Sequence, residues 1–236
     1  TELLESLESL EEGKKAKSSV VEPLVGMVFF GFVANLPMNY LFQEIAYYKS
    51  IFGESFGTQC AMVYSICNLV GQVLVLWKGA SFSFGSRLTF SGISIAFVLL
   101  FVPLMTIYRL PFQLGISVSL IGVMGFMVAI FMSAAMGLTG LLSKNLRNFF
   151  SVGMALPGLS AWPLMLLFDL FFANLAGLSK LRKDTTTPSP VDTATTLTLM
   201  SVAGLAVLAC VVYYWFGLSK SVPVRDALAA HKHSQS

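Results

Sequence analysis

Asn35, Asn39 and Gln43 recur at intervals of four within a run otherwise made of Phe, Val, Leu and Met, so on a helix the three amides stack on one face. Amides offer donors and acceptors without net charge, which suits an uncharged, hydrogen-bonding solute better than an ion. Pro37 sits among them and removes a backbone donor, loosening the ladder where a solute can meet freed carbonyls. Ser65, Asn68 and Gln72 repeat the pattern at spacings of three and four. Amides in hydrocarbon are costly unless paired, so each stripe must bond a neighbouring helix or line a watery cavity, and two stripes facing each other would make such a cavity. Asp169 is the one carboxylate well inside an apolar run, with Gly158, Trp162 and Met165 near the same face. An ionisable group there is read as a gating or proton-coupling site, or as a group wet at the outer surface or paired with a basic loop residue. Glu22, Glu44 and Arg87 fall at the ends of runs, where snorkelling or interfacial pairing is expected. Gly125, Ala129, Ser133 and Gly137 form a small-xxx-small ridge, which is read as structural.

The elements that must position these residues follow from composition. Of 236 residues, 56% are apolar and 11% charged, against roughly 45–50% and about 25% in soluble domains. Mean hydropathy of +0.76 leaves too little polar surface to cover a soluble fold, so the chain reads as an all-α integral membrane protein. Six apolar stretches are each long enough to cross a bilayer, at about 22–46, 57–77, 87–107, 112–142, 148–177 and 195–217. The fourth and fifth exceed 25 residues, which implies tilt or bending, and Pro157 and Pro163 give the fifth a local reason to kink.

Residues 1–20 place Leu3, Leu4, Leu7 and Leu10 on one helical face between glutamates, followed by Lys14, Lys15 and Lys17, and read as a cytoplasmic amphipathic and basic segment. Residues 21–218 form the six-helix transmembrane domain and 219–236 a polar cytoplasmic tail. The first residue is Thr and no leader with a cleavage site precedes the first span, as expected of a trimmed or incomplete product. With both termini cytoplasmic, ten of the 15 Lys and Arg residues fall inside, among them Lys78, Arg87, Lys144, Arg147, Lys220 and Arg225. Lys180, Arg182 and Lys183 dissent, close to the outer end of span five.

A net charge of +3, scattered along the chain, excludes a nucleic-acid partner. Cys60, Cys67 and Cys210 lie inside apolar runs without metal-ligand spacing, and His231 and His233 form a pair with no further ligand, so neither metal nor cofactor is expected.

Leu36-Pro37-Met38-Asn39-Tyr40 resembles the LPWNF signature of equilibrative nucleoside transporters, and Thr58-Gln59-Cys60-Ala61-Met62 resembles their second helix. Arg87 followed by Gly92 opens span three in the family's manner. Gly137-Leu138-Thr139-Gly140-Leu141-Leu142 is similar to their GLAGLLP, and Ser151-Val152-Gly153-Met154-Ala155-Leu156-Pro157-Gly158 to their MSGQGLAG. The resemblance runs in order and spacing over roughly residues 22–217. It implies the N-terminal six-helix half of a major-facilitator-like transporter, in which about eleven helices split six plus five carry nucleosides or nucleobases, some members with protons. A second transmembrane half is then the expected partner beside the lipid bilayer. By position the resemblance places Asn35, Met38, Asn39, Phe42, Met62, Met132 and Met154 toward a small neutral solute. The family's tryptophan is Met38 here, and two of its glutamines are Met132 and Met154. The cavity is therefore expected to be amide-lined on one wall and thioether-lined on the other, favouring a flat neutral ring.

Two other readings stand beside this one. A different major-facilitator carrier half would usually place G-x-x-x-D-x-x-G-R between its second and third helices, whereas Lys78 to Arg87 holds Gly79 and Gly85 but no Asp. A membrane enzyme or non-transporting scaffold is the other. For an enzyme the sequence offers no nucleophile-base pair, HExxH or clustered carboxylates.

Overall fold

The computed structural model describes residues 2–79, 82–108, 112–175 and 189–235, with side chains described from residue 23 to residue 230 within those ranges, Tyr108 and Pro223 excepted. Glu22, the leucines and lysines of the N-terminal segment, the 180–183 basic group and both histidines therefore lie outside the described side chains.

Among the described residues every regular element is helical. α1 runs over Glu2–Gln43, α2 over Ile45–Phe52, α3 over Phe56–Lys78, α4 over Phe84–Tyr108, α5 over Gln113–Gly140, α6 over Lys144–Leu175, α7 over Pro190–Phe216 and α8 over Val222–Gln235. Six stretches are long and apolar enough to cross a membrane: Pro23–Gln43, Phe56–Lys78, Phe84–Ile107, Gln113–Gly140, Lys144–Leu175 and Pro190–Lys220. The protein is a multi-pass integral membrane protein by this measure.

Several expected boundaries shift by a few residues, two of them for a visible local reason. The first span ends at Gln43 rather than 46, because Glu44 turns the chain (φ −87°, ψ 6°) into the separate short helix α2. α2 in turn stops at Gly53, whose φ of +96° suits a residue without Cβ. The last span begins at Pro190, five residues before the apolar run. Ser189 and Asp192 form a reciprocal capping box, with Pro190 just inside the helix start. The polar tail also contains a helix, α8.

The spans form two layers. α3 packs on α5, α5 on α1, and α1 on α6, making a row of four; behind it α4 backs α5, α7 backs α1 and α6, and α4 packs on α7. Phe30 of α1 is fully buried where the layers meet, with ring centroids 5.7 Å from Phe131 of α5, 6.4 Å from Phe150 of α6 and 6.4 Å from Tyr214 of α7. Lipid supplies no hydrophobic force between spans, so close backbone approach must hold them. At the α1/α6 crossing a Cβ on Gly31 would run into the Phe150 carbonyl oxygen, and one on Gly153 into that of Val28. At the α3/α5 crossing the corresponding contacts are Gly71 against the Phe126 carbonyl and Gly125 against that of Tyr64. The small-residue ridge of α5 is thus packed against protein: Gly125 and Ala129 meet α3, and Gly137 meets Phe84 of α4.

Candidate functional site

The α1 amide face lies on α6. The Asn35 side chain donates to the Met154 carbonyl at 2.9 Å, Asn39 donates to the Asn35 carbonyl at 2.8 Å, and Gln43 points its amide at the Met165 sulfur at 3.6 Å. Gly158 leaves room for the Asn39 oxygen, which would stand 3.4 Å from a Cβ there. Asn35, Asn39 and Met154 are therefore neighbours, all half-buried. Phe42 meets the edge of Tyr64 on α3, with ring centroids 6.2 Å apart. Met38 and Met62 are exposed, at 42% and 62%, while Met132 is half-buried against the core.

The second stripe does not face the first. Asn68 donates to the Gly125 carbonyl of α5 at 3.1 Å, and Gln72 donates to Asn68 at 2.8 Å. Each stripe ties its own helix to a different neighbour, α1 to α6 and α3 to α5, so the expected cavity between facing stripes is not formed. The Asn35 bond is to the Met154 main-chain carbonyl and leaves the Met154 thioether outside the pairing.

A second polar site lies where α1 ends and α7 begins. Gln43, Glu44, Tyr47, Ser50, Met165, Asp169, Asp192 and Thr195 are among the residues lining a cavity of about 50 Å³. That is enough for a few water molecules, each needing about 10–15 Å³. Glu44 is only 2% exposed, which corrects the expectation of a snorkelling residue at a span end. Thr196 donates to its Oε2 at 2.6 Å, and among the described residues Oε1 has no partner. Standing one residue beyond the first span, the Glu44 carboxyl is pushed up to about 7, chiefly by burial, with Asp169 and Asp192 adding to the rise and the Thr196 hydroxyl opposing it.

Asp169 is half-buried and accepts from Thr195 at 2.7 Å. The Tyr47 hydroxyl joins Thr106 of α4 at 2.9 Å and reaches Thr193 of α7 at 3.5 Å. α2 is fastened over this region by stacked rings, with Phe52 and Phe56 centroids 4.7 Å apart and Tyr48 beside both. Three carboxylates that sequence spacing leaves far apart thus share one small cavity. Among the described residues no group of three His, Cys, Asp or Glu side chains converges tightly enough to hold a metal ion.

Sequence reasoning missed Glu44 because its partner, Thr196, lies 152 residues away. The one local signal was the Ser189-to-Asp192 spacing, which brings Thr195 and Thr196 into the second turn of α7.

Arg87, in the first turn of α4 at a span end, is half-buried with its guanidinium 4.9 Å from the Phe84 ring centroid, and among the described residues its buried Nε has no acceptor. Compared with protein-family models, curated proteins and solved structures, the chain finds no match.

Proposed function

We propose that the chain is half of a facilitative transmembrane transporter for nucleosides or nucleobases, working by alternating access when joined to a second transmembrane half. The observation that carries this reading is the pairing of the spans. Exchange the triplet α1, α3, α4 for α5, α6, α7: α1 on α6 becomes α5 on α3, α4 on α5 becomes α7 on α1, and the pairs α4/α7 and α1/α5 map onto themselves. Three is an odd number of crossings, so the two triplets traverse the bilayer in opposite directions. Inverted triplets of this kind occur within the halves of major-facilitator carriers.

The row α3, α5, α1, α6 is then the face turned to the pathway and to the second half, with both termini cytoplasmic. Asn35 and Asn39 read one edge of a flat neutral solute there, and Met38, Met62, Met132 and Met154 supply adaptable apolar contact to its ring. Phe42 closes the α3 side. Asp169, held by Thr195, is the candidate for gating or proton coupling.

The pairing alone fits equally a major-facilitator carrier of another small solute, and the resemblance of residues 36–40 and 151–158 to nucleoside-transporter motifs favours the nucleoside class. Uptake separates the two. In vesicles from cells producing the gene product that contains this chain, labelled adenine and adenosine should enter down their gradients and be accelerated by unlabelled solute inside. Asn39→Ala should weaken uptake of both, and Met154→Gln should shift preference toward adenosine. Entry of neither solute overturns the proposal.

A further inference from the structure

The exchange that relates the two triplets fails most clearly at one seam. α6 packs on α7, but α3 and α4 make no comparable contact. α3 is held instead onto α5 by the Asn68 bond to the Gly125 carbonyl and by the Gly71 and Gly125 backbone approaches. A groove of about 490 Å³ remains between α3, α4 and α5, within the roughly 300–1,000 Å³ of small-ligand sites. Its walls include Leu74 and Val75 of α3, Phe90 of α4, and Phe126 and Ile130 of α5. Lys78 and Arg87 line the same groove, where α3 ends and α4 begins.

We propose that this groove holds an acyl chain of an anionic phospholipid, with the lipid phosphate between Lys78 and Arg87. Charge complementarity selects this occupant. Among the described residues no carboxylate lies within ion-pair distance of either cation; Lys78 rests 5.3 Å from the Trp77 ring centroid and Arg87 rests over Phe84. The buried Arg87 Nε has a hydrogen to donate and no acceptor among the described residues, and a guanidinium fork matches phosphate geometry. Arg87 also lies in the first turn of α4, whose positive end favours an anion.

A soluble anion would satisfy the cations and leave the apolar walls uncovered. A zwitterionic lipid would cover the walls and offer its phosphate only with a compensating cation attached. A ligand with both a net negative headgroup and a long chain answers both halves of the groove. Lys144, Arg147, Lys220 and Arg225 lie at the same end of the bundle, which concentrates such headgroups nearby.

The test uses the full chain, purified in detergent and stripped of lipid, and reads stability rather than transport, so its outcome is independent of the proposed solute. Dioleoyl-phosphatidylglycerol should raise the unfolding midpoint by several degrees more than dioleoyl-phosphatidylcholine at equal concentration, and native mass spectrometry should show one retained phosphatidylglycerol. The paired substitutions Lys78→Gln and Arg87→Gln should abolish that difference. Val75→Trp, which fills the groove and spares both cations, should also reduce it. Lys78→Gln alone, the mildest change, should give a partial loss should the double variant fold poorly. Equal shifts with the two lipids would overturn the proposal, as would a shift reproduced by inorganic phosphate, or a phosphatidylglycerol shift that survives either the paired substitutions or Val75→Trp. A dimer on size exclusion with no preference between lipids would give the groove to a second copy and equally overturn it.

Discussion

The α6/α7 seam and the α3/α4 seam occupy corresponding places in the two triplets, yet one is closed around acids and the other stands open beside bases. At the closed seam Thr195 brings its hydroxyl to within 2.7 Å of Asp169, Thr196 beside it comes within 2.6 Å of Glu44 at the end of α1, and the remaining space is about 50 Å³. At the open seam the space is about 490 Å³, and Lys78 and Arg87 rest on aromatic rings. The difference follows from what each charged group needs. A carboxylate only accepts, and short hydroxyl side chains at a helix start donate to it without keeping the helices apart. A guanidinium or ammonium only donates, and the rings of Phe84, Trp77 and Phe90 offer faces rather than acceptors, while the Ser86 hydroxyl in the groove lining is shared with Ser83 at 2.8 Å. One architecture thus handles its two signs of charge by opposite means, internal hydrogen bonding at one seam and an outward-facing groove at the other.

The largest test of this contrast is pH. Glu44 keeps its proton in the folded chain up to about pH 7, whereas its ordinary value is 4.5. Between those values the folded state holds a proton that the unfolded state has released, so stability is highest below about pH 4.5, falls as pH rises to about 7, and is level above. The expected loss is about 3 kcal/mol, read from thermal or denaturant unfolding in detergent. Glu44→Gln, which keeps an acceptor for Thr196 and cannot ionise, should flatten the curve. A wild-type protein equally stable at pH 4.5 and 8 would break the claim that the closed seam holds its acid away from water.

Removing the donor sharpens the same point. Thr196→Val leaves Glu44 without its hydrogen bond and should cost about 1–3 kcal/mol, more at pH 8 than at pH 5, because the ionised carboxylate needs the donor most. A cost independent of pH would mean that Thr196 acts through packing alone.

Asp169→Asn should cost about 1 kcal/mol or less in stability, since the amide oxygen still accepts from Thr195, while, under the proposed transport function, altering the pH profile of uptake. An unchanged profile with normal expression would reduce Asp169 to a seam-closing residue.

The smallest expected effect is at the open seam. In lipid-free detergent Lys78→Gln should change stability by no more than about 0.5 kcal/mol, because among the described residues that cation has no ion pair and lies only beside the exposed Trp77 ring. A larger loss would reveal a protein partner and remove the contrast between the seams.

Much of the fold was legible because six apolar runs of sufficient length admit few alternatives, and the Gly125 to Gly137 spacing announced a packed ridge. The ends of elements were less so. The Glu44 break lies in a run whose hydropathy continues past it, and the Pro190 start precedes the apolar run altogether, visible only through capping chemistry. The stripes were legible as stripes, but their partners were not: Asn35 bonds a carbonyl 119 positions away and Asn68 one 57 positions away. Periodicity tells which residues share a face, not which helix meets that face.

The continuity of α1 has a mechanical consequence. It is a single helix of 42 residues, of which 21 form the membrane span. At roughly 1.5 Å per residue, the stretch preceding Pro23 extends for about 30 Å. Gly31, pressed against α6 at the Phe150 carbonyl, is the natural fulcrum. From it the helix reaches about 18 Å to Gln43 and about 44 Å to Glu2. Rocking that displaces the Gln43 end by 1 Å would swing the Glu2 end by about 2 Å in the opposite sense. Were α1 to rock as a rigid body, its long arm would turn small movements at the Gln43 end into larger ones at Glu2, and Pro23 and Pro37 are the points within it where bending would take up that motion instead.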